Sequence, residues 1–212
     1  MKKFTLVFLA LFLGSFLVFN APQAQAYTIG FYRITDNATD NVASQLSVEV
    51  RDLGGNGVAF RFFNTAVISS SITQIYFDDG SLLAQDIITD SGTSVAFSPG
   101  ANPNLPGGNN VSPPFDATDA FSASANNPAV ANGVNANFEW VQIAFTLQND
   151  QDYNDVISDI VSGALRIGMH VQGISTTSDS FVNLAPIPIP AAAWLLGSGL
   201  LGLVAIRRRV KK

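Results

Sequence analysis

His170 is the only histidine in the chain, and there is no cysteine. Nucleophilic catalysis would therefore need a Ser–His–Asp arrangement built on that one imidazole. No Gly-x-Ser-x-Gly elbow accompanies it. His170 shares its parity with Arg166 and Gly168 in an alternating run, so a strand histidine hydrogen-bonded to a neighbour is the expected role. Without cysteine, a disulfide framework and thiolate metal ligation are excluded. Asp150, Asp152 and Asn154 stand at alternate positions like the first half of a calcium loop, which makes calcium the one candidate cofactor. The match stops there, because the sixth and twelfth positions hold Asp155 and Val161 where that loop needs Gly and Glu. A capped strand-to-helix turn explains the same residues. Asp78, Asp79, Asp86 and Glu139 are the acids from which a glycosidase pair would be drawn, a chemistry that needs two facing carboxyl groups at a defined separation. Tyr76, Trp140 and Tyr153 are the aromatic candidates for stacking on a sugar, although alternation favours Tyr76 and Trp140 as core residues. Asn37-Ala38-Thr39 and Asn110-Val111-Ser112 fit the N-glycosylation pattern, and solvated turns account for both.

The elements that must position these residues have period-two patterns. Short strands are expected over 28–34, 46–51, 58–63, 73–77, 82–88, 93–97, 138–147 and 164–171, separated by turn clusters such as Gly54-Gly55-Asn56-Gly57 and Asp78-Asp79-Gly80. One helix is expected, with Val156, Ile157, Ile160 and Val161 on its apolar face, Asn154 or Asp155 at its start and Gly163 at its end. Residues 98–136, rich in Pro, Gly, Asn, Ser and Ala, read as one long irregular loop. The pattern as a whole is all-β, a jelly-roll-like β-sandwich with one short helix over residues 27–185.

Charge is segregated along the chain. Seven of the eleven basic residues lie at the two ends, and 27–186 carries four Arg against sixteen acids, a net charge of −12. A surface of that sign offers no clustered cations for phosphates, so nucleic acid is excluded as a partner.

The ends carry processing signals. Met1-Lys2-Lys3, an apolar run to Phe19 and small residues at Ala24 and Ala26 make residues 1–26 a secretory signal peptide, with cleavage between Ala26 and Tyr27. Residues 187–206 are uncharged and long enough, at about 30 Å as a helix, to cross a bilayer. Arg207, Arg208 and Arg209, followed by Lys211 and Lys212, hold that end in the cytoplasm and the central domain outside the inner membrane.

The run Ile187-Pro188-Ile189-Pro190-Ala191, followed by the apolar span 191–206 and the Arg cluster, resembles a PEP-CTERM sorting tail. It is closest to the VPLPA-CTERM variant, with Ile at the Val and Leu positions. The resemblance extends to Leu105-Pro106-Gly107-Gly108-Asn109, Leu165-Arg166-Ile167-Gly168-Met169-His170-Val171-Gln172 and Ser178-Asp179-Ser180-Phe181-Val182-Asn183, segments similar to those of one group of PEP-CTERM ectodomains. It implies recognition by an exosortase near Pro190 in a Gram-negative bacterium, a transient inner-membrane anchor, delivery to the cell surface or medium, and association with exopolysaccharide or biofilm. The resulting expectation is a non-enzymatic surface or matrix protein, with signal peptidase and exosortase as processing enzymes and extracellular polysaccharide as a candidate partner. A carbohydrate-binding module and, with least support, an extracellular hydrolase are the alternatives.

Overall fold

The computed structural model describes residues 26–79, 83–92, 94–101, 104–118, 121–148 and 150–184, with the side chains of 83–86 not described. The signal run up to Gln25 and the sorting tail lie outside these residues. Among the described residues, no helix is long and apolar enough to cross a membrane.

Among the described residues, ten strands occur in chain order: β1 (Ala26–Arg33), β2 (Leu46–Gly54), β3 (Gly57–Asn64), β4 (Ser71–Asp78), β5 (Leu83–Asp90), β6 (Phe97–Pro99), β7 (Ser122–Ala125), β8 (Trp140–Leu147), β9 (Arg166–Ile174) and β10 (Thr177–Asn183). Two helices interrupt them, α1 (Ala129–Asn132) and α2 (Tyr153–Ser162). Every pairing is antiparallel, in the order β5-β8-β3-β2-β1-β10-β9-β4-β7-β6. The first half of β1 pairs with β2 and its second half with β10, so β1 belongs to two sheets that fold over one another as a nearly closed sandwich.

Inward-facing residues of alternating strands fill the space between the sheets. Val48 and Val50 of β2, Phe60 and Phe62 of β3 and Ile143 and Phe145 of β8 meet Ile75 and Phe77 of β4 and Ile167, Met169 and Val171 of β9. Phe77 stands edge-on to Phe60 at 5.0 Å and to Phe145 at 4.9 Å, linking the two layers through ring contacts. Such pairs contribute about 0.5–1.5 kcal/mol each beyond the area they bury. Gly54 and Gly55 adopt positive φ in the β2–β3 turn, a conformation that a side chain would strain.

The structure differs from the expectations at several elements. Residues 98–136 are not one irregular loop: β6, β7, α1 and a 3-10 turn at Gly108–Asn110 lie within or overlap them. The strand expected over 93–97 begins only at Phe97, and the one expected from Phe138 begins at Trp140. β10 was not anticipated, because Ser, Asp and Asn in Thr177–Asn183 break the apolar alternation that marks a strand. The cap of α2 is Asp152, not Asn154 or Asp155. Its carboxylate accepts from the backbone N–H groups of Asn154 and Asp155, while Asp155 returns a bond to the Asp152 N–H. That reciprocal box satisfies the orphan donors of the first turn. Gly163 ends the helix in the left-handed conformation, as expected.

The segment before β7 has a packing role. Leu105 and Phe115 lie on the outer face of the second sheet and form a small second core with Tyr76 and Val182. Gly168 makes the close approach possible, since a Cβ there would meet Leu105 Cδ2 at 2.8 Å and Phe115 Cζ at 3.0 Å. Arg166 fastens the segment from below. It pairs with Asp78, donates to the carbonyls of Pro113 and Pro114, and sits 5.4 Å from the Phe115 ring centroid. Replacing the fully buried Phe115 with Ala should therefore cost about 3–5 kcal/mol. It should also open 104–118 to proteolysis ahead of global unfolding. Denaturant titration and limited digestion check this, and unchanged protection of the segment would contradict the packing.

Candidate functional site

With one outer face covered by its own chain, the opposite outer face, on β5, β8, β3 and β2, is the broad surface left open. Two cross-strand rows run over it. Trp140 of β8 lies opposite Phe63 of β3, which lies opposite Ser47 of β2. One step along, Gln142 lies opposite Arg61, and Arg61 opposite Glu49. Facing positions in such rows have Cβ atoms about 5 Å apart, so the side chains form a continuous layer.

Arg61 is the centre of this layer. Its Nε and Nη2 donate to Gln142 Oε1 at 3.1 and 2.9 Å, and its guanidinium carbon sits 4.2 Å from the Trp140 ring centroid. Stacked and hydrogen-bonded, the planar group is fixed before any ligand arrives. Glu49, its cross-strand neighbour, is taken by Arg51 at 3.1 Å. The other guanidinium groups have carboxylate partners: Arg33 has Asp36 and Asp179, and Arg166 has Asp78. Among the described residues, Arg61 is the arginine held by an amide and a ring instead of a carboxylate. Burial and the nearby Arg51 push its pKa down from the ordinary value, and Glu49 pulls it up. Phe138, two residues before Trp140, is 81 % exposed, and Ile87 of β5, opposite Ala144, is 63 % exposed.

The three aromatic candidates from the sequence do not come together. Trp140 is on the open face and partly exposed. Tyr76 is completely buried beneath the 104–118 segment, its hydroxyl donating to Gln74 at 3.1 Å, and is corrected from candidate contact to packing residue. Burial pushes its pKa up to about 12. Tyr153 begins α2 at the opposite end of the first sheet and reaches the Val50 carbonyl at 3.5 Å. Sequence reasoning missed Arg61, Phe63 and Gln142. The outward parity of Arg61 and Phe63 in β3 was readable, but their pairing with β8, some eighty positions away, was not.

The other candidates have structural roles. Asp152 is turned toward backbone N–H groups, Asn154 donates its amide to it at 3.4 Å, and Asp150 is exposed. Among the described residues, no group of three or more acids and histidine is placed to hold a metal ion. Asp78 lies at the end of β4, whereas Glu139 precedes β8 at the other end of the sandwich and accepts from the Asn135 N–H. These two carboxyl groups do not face each other; the side chain of Asp86 is not described. Asn37 and Asn110 donate their amides to the carbonyls of Ser178 and Ile34. A shallow cleft of about 380 Å³ between Val130 and the β9–β10 turn is lined by hydroxyls and Gln172, with no titratable side chain. Tyr27 lies within β1, one residue after its start.

His170 is buried on β9 with Nδ1 3.0 Å from Ser180 Oγ, the strand histidine bonded to a neighbour that the alternation implied. Burial lowers its pKa below 6.5, opposed by the charge of Asp179. No family model matches the chain, and no curated protein or solved structure matches it either.

A depressed histidine pKa means that the unfolded chain binds the proton more readily. The resulting stabilisation is full above pH 6.5 and is lost as pH falls through the folded-state value. Thermal unfolding midpoints should therefore fall more steeply below pH 6.5 in the native chain than in a His170→Gln variant. Parallel pH profiles would remove this role for His170.

Proposed function

We propose that this chain is a non-enzymatic surface or matrix protein, exported under an N-terminal signal and sorted by an exosortase acting on its C-terminal tail. The observation that carries the reading is the three-part tail: Ile187-Pro188-Ile189-Pro190-Ala191, an uncharged span over 191–206, and Arg207, Arg208 and Arg209 directly after it. An apolar span of bilayer length closed by a basic cluster orients the preceding domain outward.

The geometry of the fold supports this arrangement. Strand β1 opens at Ala26, the last residue before the proposed signal cut, and β10 ends at Asn183, just short of the tail. The Leu184 N–H donates to the Gly30 carbonyl at 2.9 Å, which fastens the residue after β10 to β1.

A carbohydrate-binding module on a jelly-roll-like sandwich is the second reading. It is favoured by Trp140, Phe63, Arg61 and Gln142 on an open, flat sheet face. Aromatic rings suit the C–H faces of sugars, and fixed amide and guanidinium groups suit their hydroxyls.

Expression of the full chain in an exosortase-bearing Gram-negative host, with mass spectrometry of both termini in cell and medium fractions, tests the sorting. The expected ends are Tyr27 and a residue near Pro190, with the protein outside the cells. A Pro188→Ala/Pro190→Ala double variant should keep its tail and remain in the inner membrane; processing and release at the native level would overturn the proposal.

A further inference from the structure

We infer that the open face centred on Arg61 is a docking surface for an acidic extracellular polysaccharide, with a sugar carboxylate meeting the Arg61 guanidinium beside Trp140. This rests on the carbohydrate-binding reading and adds the sign of the ligand's charge.

Three observations carry it. The first is the charge of the face. The region 27–186 has four Arg and sixteen acids, yet Arg51 and Arg61 both lie on this one surface, with Glu49 opposite Arg61 and two residues before Arg51 on β2. Glu49 is ion-paired with Arg51, so two guanidinium groups share one carboxylate and the cluster keeps a net positive charge. At physiological salt, interactions are screened within about 8 Å, so a bound anion responds to this local positive group more than to the acidic remainder of the domain.

The second is the state of the guanidinium. Nε and Nη2 are committed to the single oxygen of Gln142, and Trp140 covers one face. The remaining Nη1 donors have no hydrogen-bond partner among the described residues and stay free for a carboxylate, the partner that best matches a guanidinium. A solvated guanidinium serving only solubility would not need both an amide clamp and a ring.

The third is shape. The rows Trp140–Phe63–Ser47 and Gln142–Arg61–Glu49 form a layer of rings, amides and charges across adjacent antiparallel strands. A docked helix or protein partner concentrates its affinity in well-packed, desolvated pockets. An extended polar chain of rings needs instead a flat platform of aromatics, amides and hydroxyls. Thr28 and Thr89 extend the Gln142–Arg61 row on either side, opposite Glu49 and Gln142.

Polygalacturonate and its fully methyl-esterified form have the same rings and linkages and differ in charge, which makes them a matched pair of probes. Binding of the full chain, in a non-ionic detergent and a chelator, should be saturable for polygalacturonate and weaken as salt rises. It should be about tenfold or more weaker for the ester, the loss expected when a charge-assisted bond is removed. Arg61→Gln should bring polygalacturonate binding down to the level of the ester without lowering the unfolding midpoint below the range in which binding is measured. Equal, salt-insensitive binding of both polymers would overturn the charge assignment and leave the carbohydrate-binding reading standing. Binding of neither would overturn both. The comparison of the two polymers on the native chain needs no variant, so a failure of Arg61→Gln to fold would not rescue the inference.

Discussion

Among the described residues, the two sheets are joined by strand pairing where β1 passes from β2 to β10, and a buried carboxylate holds that crossing. Asp179 of β10 is completely buried. It accepts from the Thr35 hydroxyl and the Asn37 N–H at 2.8 Å each, from the Ala38 N–H at 3.2 Å and from Arg33 Nη1 at 3.4 Å. The Thr35 hydroxyl in turn accepts from the Ser180 N–H at 2.8 Å. A buried anion is tolerated only with such a set of donors, and each donor fixes the chain just after β1. Because β9 and β4 are registered on β10, the position of the whole second sheet follows from this cluster.

Once the sheets are set, their outer faces take different courses. On the second sheet, Gly168 leaves a shallow place in the surface, and Leu105 and Phe115 fill it over Tyr76 and Val182. The chain seals this face with its own segment, and Arg166 joins the two by charge and by carbonyl contacts. On the first sheet, Arg61, Gln142 and Trp140 stand up as a prearranged polar and aromatic layer, held by bonds among themselves. One face therefore contributes stability and the other remains available for recognition.

Much of this architecture could be read from local patterns. Strict alternation in 46–51 and 140–147, the Gly-rich turn at 54–57 and the apolar face of α2 each correspond to an element. Reading failed where side chains serve the backbone or distant partners. Thr177–Asn183 is a central strand whose Ser, Asp and Asn side chains look like turn residues, yet Asp179, Ser180 and Asn183 are buried and bonded to Thr35, His170 and the Ile167 N–H. Alternation favoured Tyr76 as a core residue, and it is buried, but nothing in its neighbourhood announces that residues some thirty to forty positions later form its cover. Trp140 was identified as a candidate alone. Its partners Arg61 and Phe63 come from β3, and only the β3–β8 register brings them beside it.

The central claim is that one outer face is sealed by the chain itself and the other is open. Hydroxyl-radical footprinting of the full chain in a non-ionic detergent, read residue by residue, tests it most directly. The account predicts rapid oxidation of Phe138, slower but clear oxidation of Trp140, and protection of Tyr76 and Phe115 as strong as that of the core rings Phe60 and Phe77. Oxidation of Tyr76 and Phe115 at the rate of Phe138 would contradict it, since the second face would then be open as well.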